Sequence, residues 1–142
     1  MFSKSNLIST LATAVWAYLG GWVLWGMIGD KMLADHMLVQ NLMRPEDQID
    51  MIHLIIGCIV VGFFFSAIYW KFGQANYGIS SGIQYGVLLG LLFGIGEGLI
   101  NFSVMAMTDI TGVFINAFIY VLFYGIMGLL AGLVYQKTSP KA

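Results

Sequence analysis

Four long stretches of the chain are apolar at nearly every position, and short segments between them hold almost all of its charge. They cover residues 7–28, 51–70, 79–107 and 113–135, the third interrupted by Glu97. A bilayer's hydrocarbon core, about 30 Å thick, takes about 20 apolar residues in a helix to cross. Backbone groups in lipid must pair within their own segment, so the pattern predicts four transmembrane α-helices. The expected fold is all-α: one membrane domain over residues 1–142, built as a four-helix bundle.

The polar segments refine this. In residues 29–48, Leu33, Met37, Gln40 and Asn41 alternate with Leu38, Leu42 and charged residues at helical spacing. That predicts a short amphipathic helix at the membrane surface, or an extension of the first span beyond it. Arg44-Pro45-Glu46-Asp47 reads as a helix start, with proline in the first turn and acids at the positive end of the dipole. Residues 72–81 hold Gly73, Gly78 and Ser80 and make a turn. The short connection 108–112 makes spans three and four antiparallel neighbours. Gly62, Ser66, Tyr69 and Lys71 recur 66 residues later as Gly128, Gly132, Tyr135 and Lys137, which suits two parallel hairpin repeats.

Composition excludes several classes. The chain is 59% hydrophobic and 9% charged, whereas soluble domains carry about 25% charged residues. A net charge of −1 offers no basic surface for nucleic acid. The one cysteine, Cys58, rules out an internal disulfide or a thiolate cluster. The first span follows Lys4 and contains Ala12-Thr13-Ala14, yet it is too long for a signal peptide and is expected to be retained. Lys4, Lys71, Lys137 and Lys141 fall on one side, against Lys31 and Arg44 among acids on the other. The bias places both termini in the cytoplasm, in what is expected to be a bacterial inner membrane. Trp70, Tyr69 and Tyr135 then sit at cytoplasmic ends, where aromatic belts are expected.

Helices in lipid associate through close backbone approach at small residues. Gly82, Gly86, Gly90, Gly94 and Gly98 occupy every fourth position of the third span, a glycine zipper in pattern. Gly128 and Gly132 repeat it in the fourth, and Ser9, Thr13, Ala17, Gly21, Cys58, Gly62 and Ser66 form weaker versions in the first two. The third span is therefore expected at the centre of the bundle.

Few residues offer chemistry. At 100° per residue, Glu97 lies within about 60° of Gly86, Gly90, Gly94 and Asn101. Its carboxyl is thus expected to face the packed side, bonded to Asn101, Tyr120 or Tyr124, or serving as a proton or cation site. His36 and His53 are the only histidines, and His53 follows Asp50 by three residues. They are candidates for a metal or haem ligand. Met27, Met32, Met37, Met43, Met51, Met105 and Met107 map to the outer half, where thioethers suit Cu(I) or an adaptable docking surface. No nucleophile elbow, phosphate loop, HExxH or paired-cysteine motif occurs.

Ala12-Thr13-Ala14-Val15, His53 ahead of small residues, the spaced glycines, and Tyr124-Gly125 through Gly132-Leu133-Val134-Tyr135 together resemble small bacterial four-helix membrane proteins of unknown function. The resemblance spans most of the chain. It implies the fold and no activity, and Glu97 is outside its pattern. The functional expectation is a non-catalytic accessory or structural subunit without a cofactor, in contact with lipid and with other membrane subunits or itself. The alternatives are a small homo-oligomeric proton- or cation-coupled transporter or channel using Glu97, and an outer-face copper or haem binder.

Overall fold

The computed structural model describes residues 3–40, 42–73 and 76–139. Asn41 of the amphipathic pattern and Lys141 of the lysine bias lie outside them. The chain forms four helices long and apolar enough to cross a membrane: α1 (Lys4–His36), α2 (Met51–Gly73), α3 (Ile79–Val104) and α4 (Ile110–Thr138). They run up and down. One end, the termini end, gathers the helix termini near residues 4 and 138 together with the α2–α3 turn. The other, the far end, holds residues 37–40 and 42–50 and the α3–α4 connection.

Helix limits follow from capping. Ser3 accepts a hydrogen bond from the Asn6 N–H (3.1 Å) and starts α1. The Asp50 carboxylate accepts the His53 N–H (3.1 Å), so α2 begins at Met51. The Asp109 carboxylate accepts the Gly112 N–H (2.8 Å), so α4 begins at Ile110, three residues earlier than the apolar pattern predicts. The third span correspondingly ends at Val104, which leaves Met105 and Met107 in the connection.

In the segment after the first span, the second of the two expected alternatives, an extension of that span, is the one found. No separate amphipathic helix forms among its described residues. α1 instead continues to His36, with a stretch of wider π-helix over Trp22–Gly29. It stops because the next residues pair elsewhere: Leu38 N–H donates to Met107 O (2.9 Å) and Asp109 N–H to His36 O (3.0 Å). These bonds make an antiparallel bridge of Met37 with Thr108, which demands extended backbone. Pro45 initiates only a 3₁₀ turn, Glu46–Gln48; the residue before a proline is itself turned away from helix.

The centre of the bundle is α4, not α3 as expected. Of the most apolar stretch of α4, 39% is buried, against 11% for α3. The glycines of α3 explain this. They line one face, and that face meets a single neighbour. A Cβ built on Gly82 or Gly86 would overlap the backbone carbonyl of Gly128 or Tyr124 respectively. At Gly90 it would stand 2.6 Å from Val121 Cα, and at Gly94 2.7 Å from Ala117 Cα. α4 presents its other flank to α1, where Trp16 Nε1 donates to the Phe123 carbonyl (2.9 Å).

α2 is held by α1. Gly62 lets the helices approach until a Cβ there would be 2.8 Å from Ala14 N, and Ser66 and Ser9 share a hydrogen bond of 2.8 Å. Gly62 and Gly128, matched in the internal echo, thus each bring the second helix of a hairpin onto the first. At the termini end Tyr69 and Tyr135 are wholly buried, with ring centres 5.5 Å apart. Tyr85 Oη donates to Phe65 O (3.1 Å) and Tyr135 Oη to Ser66 O (3.0 Å). Each of these buried hydroxyls finds an acceptor, as buried polar groups require. Toward the far end the contact stops. Among residues 51–61 only Cys58 is even half-buried, so the far half of α2 stands clear of its neighbours.

Candidate functional site

The far half of the bundle carries the groups that the core does not use. Glu97 closes a second π-helical stretch, Leu92–Glu97, in α3. A residue inserted into a helical turn rotates the residues beyond it by about 100°. Gly94 still faces Ala117, and Gly98 meets Val113 Cγ1, 3.2 Å from where its Cβ would stand. Glu97 does not share that face: it is exposed on the outside of the bundle, contrary to the sequence expectation. Among the described residues the Glu97 and Asn101 side chains make no hydrogen bond, with each other or with a tyrosine. Glu97 does lie near the hydroxyls of Tyr120 and Tyr124.

Those tyrosines belong to a continuous aromatic row. Phe93 stacks on Tyr124 (5.4 Å) and Tyr124 on Tyr120 (6.1 Å), and Trp25 meets Tyr120 edge-on (5.0 Å). Trp25 Nε1 donates to Asn116 Oδ1 (2.8 Å), which fixes the end of the row nearest the far end. Phe93 and Trp25 come from the two π stretches, and α4 supplies everything between them. π segments inside α-helices are frequent at functional sites. Sequence periodicity did not reveal this row because it assumes constant winding.

At the far end, His36 Nδ1 and Asp109 Oδ2 are 2.9 Å apart. Asp109 therefore caps α4 with one oxygen and holds the end of α1 with the other. Gly112 suits the tight fit there, since a Cβ would stand 3.0 Å from His36 Cβ and push that side chain back. The His36 hydrogen bond first, then the Gly112 N–H, keeps the Asp109 carboxyl below its ordinary value of 3.8. A lowered carboxylate pKa contributes stability that is complete above that ordinary value. The contribution is lost as pH falls through the lower, folded value. Asp109→Ala should lower the thermal midpoint at pH 6, and the difference from wild type should close on acidification toward pH 2. A scanning fluorescence melt at both pH values checks this.

The two histidines are not brought together. His53 is paired with Asp50 (2.7 Å) and exposed, which holds the Asp50 carboxyl below its ordinary range, through the His53 backbone N–H first and its ring second. Among the described residues no three His, Cys, Asp or Glu side chains gather as metal ligands. Met105 and Met107 also part company. Only Met107 lines the cavity of about 680 Å³ that opens at the far end, together with Met37, Met43, Trp25, Asp30 and Asn116. A second, almost wholly apolar groove of about 340 Å³ separates Leu11, Ala14, Val15 and Tyr18 of α1 from Met51, Ile55, Cys58 and Ile59 of α2.

Comparison with family models, curated proteins and solved structures gives no match.

Proposed function

We propose that the chain is a non-catalytic membrane subunit, and that the far half of α2 and the Glu97 side of α3 receive a transmembrane segment of a partner. The observation that carries this is Glu97: an ionisable group within a span, on the outer surface of the bundle and without a hydrogen bond among the described residues. Such residues normally face a bundle interior or a water-filled cavity and pair there. A partner helix bearing a donor gives Glu97 that interior. The unsupported residues 51–61 of α2 then acquire a neighbour of their own. In this reading the lysine-bearing termini end is cytoplasmic by the positive-inside bias, in a bacterial inner membrane.

A photocrosslinking residue at Ile100, one turn from Glu97 and exposed, and another at Ile55 test the reading in native membranes. Both should give discrete protein adducts. Phe118, on an exposed stripe of α4 turned away from Tyr120, should give none. Lipid adducts alone at all three positions would overturn the proposal.

The rival, a homo-oligomeric proton- or cation-coupled carrier, draws on a separate observation. Glu97 ends a π stretch beside Tyr120 and Tyr124, an arrangement that suits a titrating site. The measurement that distinguishes it is ion flux through protein in liposomes.

A further inference from the structure

The cavity at the far end is independent of the Glu97 face, and its lining has a consistent chemistry. Three of its walls are thioethers: Met37 from the segment after α1, Met43 further along it, and Met107 from the α3–α4 connection. Chance clustering in sequence does not account for this, because Met37 and Met107 are 70 residues apart. The bridge of Met37 with Thr108 and the 2.9 Å bond from Leu38 N–H to Met107 O join the backbones of the two segments that carry them, and both residues line the one cavity. The His36–Asp109 pair and the α4 cap fasten the same two segments.

Among the described residues of the lining, Asp30 is the one that carries charge, and it is acidic. Thioethers are soft, uncharged donors that select monovalent copper over hard cations. A methionine side chain is unbranched and adaptable, so three of them can close on an ion from the walls of a cavity larger than the ion. We propose that this cavity binds a soft monovalent cation, Cu(I) in the cell, through the sulfurs of Met37, Met43 and Met107, with Asp30 offsetting the charge. The site requires no histidine and no thiol. It differs from a histidine or cysteine site in a measurable way: thioethers do not titrate, so binding releases no proton.

The test uses Ag(I), the redox-inert soft monovalent ion, on the full chain in mild detergent. A Cys58→Ser background removes the one thiol. Calorimetry should show one Ag(I) per chain, with an affinity unchanged between pH 6 and 8 in a non-coordinating buffer. Tryptophan fluorescence should be quenched in part with the same stoichiometry, since Trp25, one of four tryptophans, lines the cavity. Replacing Met37, Met43 and Met107 together by leucine conserves volume and should weaken binding by at least roughly 100-fold, the loss of soft donors being the only change in ligand chemistry. Met105→Leu, off the cavity, should bind as wild type. Retention of Ag(I) by a folded triple variant would overturn the proposal, as would failure of the parent protein to bind. Should the triple variant not fold, Met43→Leu alone decides: the residue is 69% exposed, and unaltered affinity there would count against the site.

Discussion

Gly86→Leu should abolish monodisperse, folded protein, while Leu88→Ala, two residues away, should leave it intact. The reason is the kind of atom each side chain meets. A Cβ on Gly86 overlaps the Tyr124 carbonyl oxygen and comes within 3.0 Å of Gly125 Cα. These are backbone atoms of the central helix, so no side-chain rotation relieves the overlap. Only separation of α3 from α4 would, and that would undo the contacts at Gly82, Gly90 and Gly94 together. Overpacking in a core costs typically 1–3 kcal/mol, and Leu at Gly86 should exceed the top of that range. Even Gly86→Ala should lower the midpoint of unfolding in denaturing detergent. Leu88 is 56% exposed, so its truncation removes little packing and should fall within about 0.5 kcal/mol. Gly57→Ala and Gly21→Ala are the internal controls, since neither added Cβ meets anything within 4 Å. Both should be neutral, or stabilising by up to about 1 kcal/mol through helix propensity. Size-exclusion profiles and unfolding midpoints across this set provide the check. Equal tolerance at Gly86 and Gly57 would show that α3 and α4 do not approach so closely.

The same residues mark how far sequence alone could reach. Run length located all four spans, because the length needed to cross a bilayer is a strong constraint and charge is nearly excluded from each run. The caps were present in the sequence but were not read from it. Asp50 and Asp109 each stand three residues before the N–H they accept; Asp50 agrees with the apolar pattern on a start at Met51, and Asp109 moves the start of the fourth helix from 113 to Ile110. The glycine register pointed to a close approach but not to its partner. A stripe on one helix is silent about which helix it meets, and a one-sided stripe belongs to a helix with one close neighbour. That is why α4, whose glycines are less regularly spaced, is the centre. Two features lay beyond the pattern for separate reasons. The pairing of residues 36–38 with 107–109 is long-range, so local periodicity predicts helix where tertiary hydrogen bonds impose extended chain. The π stretches break the constant 100° step on which the placement of Glu97 depended, and that turned the carboxyl from the packed face to the outside.

Glu97→Leu should weaken association with the partner while making the isolated chain more stable, and Glu97→Gln should do neither to any large degree. Glu97 is seven residues from the end of α3 at Val104, about 10 Å along the axis at the helical rise. The 26 residues of α3 measure about 39 Å, against a hydrocarbon core of about 30 Å. A centred helix therefore carries Glu97 about 6 Å below the core boundary. At that depth a carboxyl without a partner is unfavourable, by less than the roughly 2.5–3.5 kcal/mol assigned to the bilayer centre. Leucine removes this penalty in the isolated chain. It also removes the group a partner helix would bond. Interhelical hydrogen bonds in membranes contribute about 0.6 kcal/mol on average and up to about 1.7, so association should fall by about three- to eighteen-fold. Glutamine keeps the shape and the hydrogen-bonding capacity, so adducts from the Ile100 crosslinker should persist in Glu97→Gln and drop in Glu97→Leu. The carrier reading predicts a different pattern, because a titrating site cannot work as an amide. Wild-type protein in liposomes would then show pH-dependent proton or cation flux, and Glu97→Gln would fold normally and show none. That outcome would replace the docking role of Glu97 with a transport role. Silent liposomes together with Gln-tolerant, Leu-sensitive crosslinking would leave Glu97 as the polar anchor of an assembly, the role its exposed position on α3 fits best.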